Sequence, residues 1–309
     1  MSQYTHVVKL DYDPNVILDS DHTTNPFVRR IDCWQDTLIL CQDGPRPPPS
    51  IKVKEWTAHR MYEAHRMYEC VKQQKHRKLN GTPHESTVDF LNRDAIDVAL
   101  DLLSTGKALR PLVLNLADDS IAGGCVSQGS GAQEESLFRR SNYHQTLIQD
   151  PALYPIRNGE AVYSPEVTIL KSSEDDGWQL YDQRPVLAFV ACPGLRYPKC
   201  VVDEYGENRL TGRDVEILKE KIAIIIQVAV QYKHDAIVMG ALGCGAWRNP
   251  IKHVAEIFKQ VLDAYEGLVP YVVFAILSTT DDQYIVRSHA FPVDKKMTTC
   301  EIFQRVFDT

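Results

Sequence analysis

The stretch Pro111–Ser141, "PLVLNLADDSIAGGCVSQGSGAQEESLFRRS", decides the reading of the chain. It opens on "PLVLNLA", apolar but for Asn115, of the length and composition of a strand buried on both faces. It closes on "QEESLFRRS", which continues through "NYHQTLI" with the pattern of an amphipathic helix. Between them lie Gly123, Gly124, Gly129 and Gly131, directly ahead of the adjacent carboxylates Glu134 and Glu135. Two readings stand. The segment is a turn with a solvated helix start, or it is a backbone cradle for an anion with acid chemistry beside it.

Working outward, the same alternation of period recurs. "STVDFLN" predicts a strand and "DAIDVALDLLSTG" a helix, capped by Asp94 and stopped at Gly106. "AVYSPEVTILK" predicts two short strands split by Pro165, and "PVLAFVACP" a further apolar strand. "TGRDVEILKEKIAIIIQVAVQYK" predicts a helix with Thr211 and Asp214 at capping-box spacing. Then come a strand "DAIVM", a helix "NPIKHVAEIFKQVLDAY" with Asn249 as cap and Pro250 at its first position, and a strand "YVVFAIL". Strands apolar on both faces need cover on both sides, so the fold class is α/β, a three-layer α/β/α sandwich.

Three segments follow. Residues 1–50 form an N-terminal arm ending in the proline-rich "GPRPPPS", which favours extended geometry. Residues 51–85 form a helical extension packing on the core; there "AHRMYE" occurs twice in succession, too short a copy for a repeat fold, and Lys72 to Lys78 supply a basic solvated face. Residues 86–309 are expected to form the α/β domain itself.

Composition bounds the function. A hydrophobic content of 44% with 24% charged residues is that of a folded chain. The formal charge of -7, with acids spread along the sequence, argues against attachment to a nucleic acid backbone, so no direct DNA binding is expected. The start lacks the pattern of a signal peptide, and no apolar run approaches the roughly 18 residues of a membrane span, so a soluble protein is expected. Eight cysteines without C-x-x-C pairs or zinc spacing read as free thiols of a reducing compartment, expected to be the cytoplasm, with the nucleus or a host cell's cytosol as the alternatives left open.

A second glycine turn, "GALGCGAWRNP", follows the strand "DAIVM" and carries Gly240, Gly243 and Gly245. In sheets of this kind ligands sit beyond the carboxyl ends of strands, where both turns fall, and two such turns suggest two linked phosphates. Neither G-x-x-x-x-G-K-[ST] nor G-x-G-x-x-G with its ribose-binding acid is present. Neighbouring residues on a helix diverge by about 100°, so Glu134 and Glu135 cannot face each other and should have separate tasks.

"GGC", seven residues, then "QEE" resembles the signature of the poly(ADP-ribose) glycohydrolases, and "GALGCGAWRNP" is similar to the diphosphate-binding loop of their microbial members. The resemblance spans about Ser86 to Leu277 and implies a macrodomain-like fold with a mixed central sheet and no cofactor or metal. It implies a glycosidase that binds ADP-ribose and ADP-ribosylated proteins. Glu135 would protonate the leaving group and then activate water; Glu134 and Asn115 would hold the ribose; Gln133 would lie at the substrate. Gly123 and Gly124 would approach the diphosphate on one side, and Gly243, Cys244, Gly245 and Ala246 on the other. Trp247 would stack on the sugar being cleaved. A helix start lowers a glutamate's pKa whereas a general acid needs it raised, so bound substrate would have to bury Glu135.

Two departures matter. Cys125 stands where the signature has a third glycine, which would narrow the approach to the diphosphate or second ribose; Cys125 has no base near it in sequence to make it a nucleophile. Asp118 and Asp119 could attract a guanidinium, pointing to mono(ADP-ribosyl)arginine as substrate in place of polymer. The competing reading is a module that binds ADP-ribose without cleaving it; the intact "QEE" favours the enzyme.

Overall fold

A computed structural model of the chain describes residues 25–42, 44, 46–54, 86–278, 283–288 and 291–309. Its strands are β1 (Ile51–Lys54), β2 (Thr87–Leu91), β3 (Pro111–Leu116), β4 (Glu160–Thr168), β5 (Val186–Cys192), β6 (Cys200–Val202), β7 (Asn208–Leu210), β8 (Ala236–Met239), β9 (Tyr271–Ala275), β10 (Gln283–Ser288) and β11 (Phe291–Thr298). Seven of them form one sheet in the order β1-β4-β5-β3-β8-β9-β2. From β5 to β2 all neighbours are parallel, whereas β4 runs antiparallel to both β5 and β1, so the sheet is mixed. The pairs β6–β7 and β10–β11 are separate hairpins.

Strand periodicity of two sends alternate residues to opposite faces and makes two cores. Leu112, Leu114, Val190, Ile237 and Phe274 point to one face, covered by α5 (Gly212–Gln231), α6 (Ile251–Ala264) and α7 (Thr299–Phe307). Val113, Phe189, Val238 and Val273 point to the other, covered by α2 (Ala95–Ser104), α3 (Gln133–Arg139) and α4 (Tyr143–Leu147). That is the three-layer sandwich expected. Each such side chain buried in full contributes about 1.5–3 kcal/mol.

The N-terminal region differs from its reading. Residues 26–40 form a helix, α1 (Pro26–Leu40), with Asn25 Oδ1 accepting from the Phe27 N–H and Pro26 in the first turn. Lys171, itself buried, anchors it: Nζ reaches Asp36 Oδ2 at 2.7 Å, Thr37 Oγ1 at 2.9 Å and the Cys33 carbonyl at 2.9 Å. β1 is an edge strand of the main sheet, so residues 51–54 belong with the core and not to a helical extension. The doubled "AHRMYE" and the basic run after it lie outside the described residues.

Smaller differences have local causes. The helix expected from Gln133 onward breaks between α3 and α4, where Asn142 turns to the edge of β4: its N–H donates to the Thr168 carbonyl and its Oδ1 accepts from the Thr168 N–H. β4 runs through Pro165 as one strand, because Pro165 falls in the register irregularity between Ser164 and Val167. Asp94 caps α2 as expected. Thr211 stands at the N-cap of α5 with its hydroxyl on Asp214 and not on the backbone, while α6 is entered from Pro250, leaving Asn249 for another task.

Candidate active site

Because β3, β5 and β8 are adjacent and parallel, their following loops emerge at one sheet edge. α3 starts in the first of these loops, and Gln133 fastens it there: Oε1 accepts from the Leu116 N–H at 2.8 Å and Nε2 donates to the Leu114 carbonyl at 2.8 Å. The Gln133 amide, expected at the substrate, is the peg that sets the two glutamates against the end of β3.

The carboxylates bound by amides of the first loop are the chain's own. Glu134 Oε1 accepts from Asn115 Nδ2 at 3.1 Å and the Gly123 N–H at 3.2 Å, and Oε2 from the Asp118 N–H at 2.7 Å. Glu135 Oε1 accepts from the Cys125 N–H at 3.0 Å, and its Oε2 carries no bond among the described residues. The Gly124 N–H closes a turn onto the Ile121 carbonyl. Of the two amides expected to approach a diphosphate, that of Gly123 is turned on Glu134 and that of Gly124 closes the turn. Gly124 has φ +51°, and a Cβ there would lie 2.7 Å from Glu135 Oε1 and 3.3 Å from Glu134 Oε2, so the bare backbone makes room for the acid pair.

Gly129 and Gly131 serve a different contact. α1 crosses over them, with the Phe27 carbonyl against Gly129 and the Arg30 guanidinium against Gly131. Trp34 of α1 also stands 6.2 Å from the ring of Phe138, which in turn fills the space a Cβ on Gly123 would take.

Both glutamates are buried, at 3% and 7% exposure, so Glu135 is withdrawn from water before any substrate arrives. Burial pushes Glu134 up to about 8, against the pull of its three hydrogen-bond donors. A carboxyl held above its ordinary value of 4.5 binds its proton more tightly in the folded than in the unfolded state. Its stabilising contribution is therefore full below about pH 4.5 and is lost as pH rises through about 8. Unfolding free energy measured across that window should decline with pH, and Glu134→Gln should flatten the decline. An unchanged slope in the variant would refute the assignment.

Asn115, at the end of β3, is fully buried, and its Oδ1 has no hydrogen-bond partner among the described residues. An acceptor left open in a buried amide is a place for a hydroxyl donor. Tyr154 was not singled out by the sequence. Its buried hydroxyl also has no partner among the described residues, and burial first, then the Glu134 and Asp118 carboxylates, raise its pKa.

The second loop is held from behind. Asn249 Nδ2 donates to the carbonyls of Leu195 at 2.7 Å and Gly243 at 2.9 Å, tying the loop after β5 to the loop after β8. Gly194 and Gly243 are in such close contact that a Cβ on Gly194 would lie 2.6 Å from Gly243 Cα. Cys244 is buried, while Gly245 and Ala246 are exposed and the N–H groups of Gly245, Ala246 and Trp247 make no hydrogen bond among the described residues. These three N–H groups are unengaged by the chain and so open to an outside acceptor. Trp247 stacks on a guanidinium within the chain: Arg196 lies 4.5 Å from its ring centre. The same Arg196 pairs with Asp118 and Asp119 at 2.7 and 2.6 Å. Cys125 is exposed, with an unstrained φ of -100°.

Among the described residues no helix is long and apolar enough to cross a membrane, and the cysteines are all unpaired. Residues 45–172 match the family model described as microbial-type PARG, catalytic domain. No curated protein matches by sequence. Among solved structures, poly(ADP-ribose) glycohydrolase from Thermomonospora curvata is similar at a TM-score of 0.64 and 20% identity, over 90% of this chain and 99% of that one. The same enzyme bound to the inhibitor ADP-HPD aligns at 0.61 and 19%, over 89% and 98%. Poly(ADP-ribose) glycohydrolase from Deinococcus radiodurans in complex with ADP-ribose aligns at 0.58 and 20%, over 84% and 94%. Asn115 and both glutamates lie inside the stretch, residues 45–172, that matches the microbial-type PARG catalytic-domain model.

Proposed function

We propose that the protein is an ADP-ribosyl glycohydrolase that cleaves the glycosidic bond joining ADP-ribose to a further ADP-ribose unit or to a protein acceptor. The observation that carries this is the division of labour in the acid pair. Glu134 has three donors on its two oxygens, whereas Glu135 is fixed by one oxygen and leaves Oε2 available. In this reading Glu135 gives its proton to the leaving oxygen as the bond to the anomeric carbon breaks. Water then adds to that carbon and returns a proton to Glu135. The remaining acceptor position on Glu134 and the open Oδ1 of Asn115 take ribose hydroxyls. The amides of Gly245, Ala246 and Trp247 take the diphosphate, whose fixed charge stabilises the cationic sugar. Complexes of the similar bacterial enzymes with ADP-ribose and ADP-HPD support a ligand of this class.

The acceptor arginine expected from Asp118 and Asp119 would find both carboxylates already engaged by Arg196. Polymer, or an acceptor without a guanidinium, is therefore the favoured substrate. Incubation with automodified polymer and with defined serine-, glutamate- and arginine-linked peptides provides the test. Release of free ADP-ribose is expected; retention of ligand without release would establish the binding module instead.

A further inference from the structure

Arg196 belongs to the loop after β5, a loop that neither acid belongs to. Its Nη2 reaches Asp118 Oδ2 at 2.7 Å and Asp119 Oδ1 at 2.6 Å, and Nε reaches Asp119 Oδ2 at 3.2 Å. The planar group then lies over the indole of Trp247, 4.5 Å from its centre. Two carboxylates and an aromatic face are what a protein would use to receive a guanidinium from outside. Here one is supplied from within, at the mouth of the site, where the Arg196 side chain is 42% exposed. The receptor also adjoins the chemistry: the N–H of Asp118 donates to Glu134, and the N–H of Trp247 is one of the three with no hydrogen bond among the described residues.

We propose that Arg196 is a specificity-determining residue, which occupies in cis the place of an acceptor arginine and so closes the site to guanidinium-linked ADP-ribose. The inference rests on the hydrolase reading above. Its second effect is electrostatic. Asp118, Asp119 and Arg196 together carry one negative charge; without Arg196 they would carry two beside a loop meant for a diphosphate. Discrimination of this kind works by exclusion, through a group already seated where the wrong acceptor would bind.

The test compares wild type, Arg196→Ala and Arg196→Gln on poly(ADP-ribose) and on a peptide carrying arginine-linked ADP-ribose. Removal of the guanidinium should raise kcat/KM for the arginine-linked substrate relative to polymer by at least about tenfold. Adding Asp118→Asn and Asp119→Asn should cancel that gain. A purely structural Arg196 would lower both substrates together and leave the ratio where it was, which overturns the proposal, as does a gain that survives loss of both carboxylates. Arg196→Gln keeps a long side chain on Trp247 and reads the same ratio if the alanine variant folds poorly.

A binding arm separates this idea from the hydrolase reading. Methylguanidinium, titrated calorimetrically, should bind Arg196→Ala saturably and neither wild type nor the variant lacking both carboxylates. That result is independent of turnover, so an inert enzyme refutes the hydrolase alone. Absence of methylguanidinium binding to the alanine variant refutes the role of Arg196.

Discussion

Replacing Glu135 with Gln should lower turnover of poly(ADP-ribose) by about 10²–10⁴-fold, the range over which one positioned acid or base contributes to a rate. The substitution is nearly isosteric, and its amide oxygen can go on accepting from the Cys125 N–H that holds Glu135 Oε1 at 3.0 Å. Packing at this buried position and the pose of the ligand should survive, so affinity for free ADP-ribose should change little while kcat collapses. Single-turnover release of ADP-ribose, with a calorimetric titration of ADP-ribose beside it, distinguishes the cases. Retention of the wild-type rate would remove Glu135 from the chemistry, and loss of binding together with rate would make it a ligand contact and not the proton carrier. Glu134→Gln should behave in the opposite manner, weakening the bound state first, because Glu134 anchors the loop through Asp118 and Gly123.

The largest effect on stability is expected from Arg140. Its side chain is completely buried, and its guanidinium bonds Asp94 at 2.7 Å, Asp97 at 2.6 Å and the Lys171 carbonyl at 3.2 Å. It joins the end of α3 to the start of α2, where Asp94 is already the cap. Burial raises the Asp97 carboxyl, and Arg140 opposes that rise. Arg140→Ala removes the only guanidinium bound to these two acids among the described residues and opens a cavity; the cost should be about 3–5 kcal/mol in denaturant unfolding. The triple variant with Arg140→Met, Asp94→Asn and Asp97→Asn should recover much of that loss, since charge and partner leave together. A loss in Arg140→Ala below about 1 kcal/mol would mean that solvent reaches the pair and screens it.

How far the sequence could be read depended on how each element is stabilised. The strands β3, β5, β8 and β9 are apolar runs, broken only by Asn115 in β3, and burial on both faces leaves them no other arrangement, so they were legible. α1 was not, because it buries only Cys33 and Thr37 and is held by polar bonds to Lys171, far along the chain. β1 has four residues, of which Val53 alone is buried, too few to show a period. In the site, spacing located the acid pair, but it could not say where the loop amides point. The glycines look alike in sequence, and only the fold separates Gly124, which accommodates Glu135, from Gly129, which accommodates α1. Arg196 carries no local mark at all in "CPGLRYPKC". Its partners lie 77 and 78 residues earlier, and a pairing at that separation leaves no periodic trace.

The short strand β1 has a bearing on how the protein must be produced. It is the outermost strand on its side of the sheet, and its register with β4, from Ile51 opposite Tyr163 to Lys54 opposite Glu160, is joined by the buried Ser50 hydroxyl, 2.9 Å from Thr146 Oγ1 and 2.6 Å from Ser164 Oγ. A chain cut back to start at Ser86 would keep Glu134, Glu135 and both glycine loops, yet would bare the hydrogen-bonding groups of β4 to any other extended segment nearby. Such a truncated protein should self-associate, with light scattering that rises with concentration, while the chain retaining β1 should not.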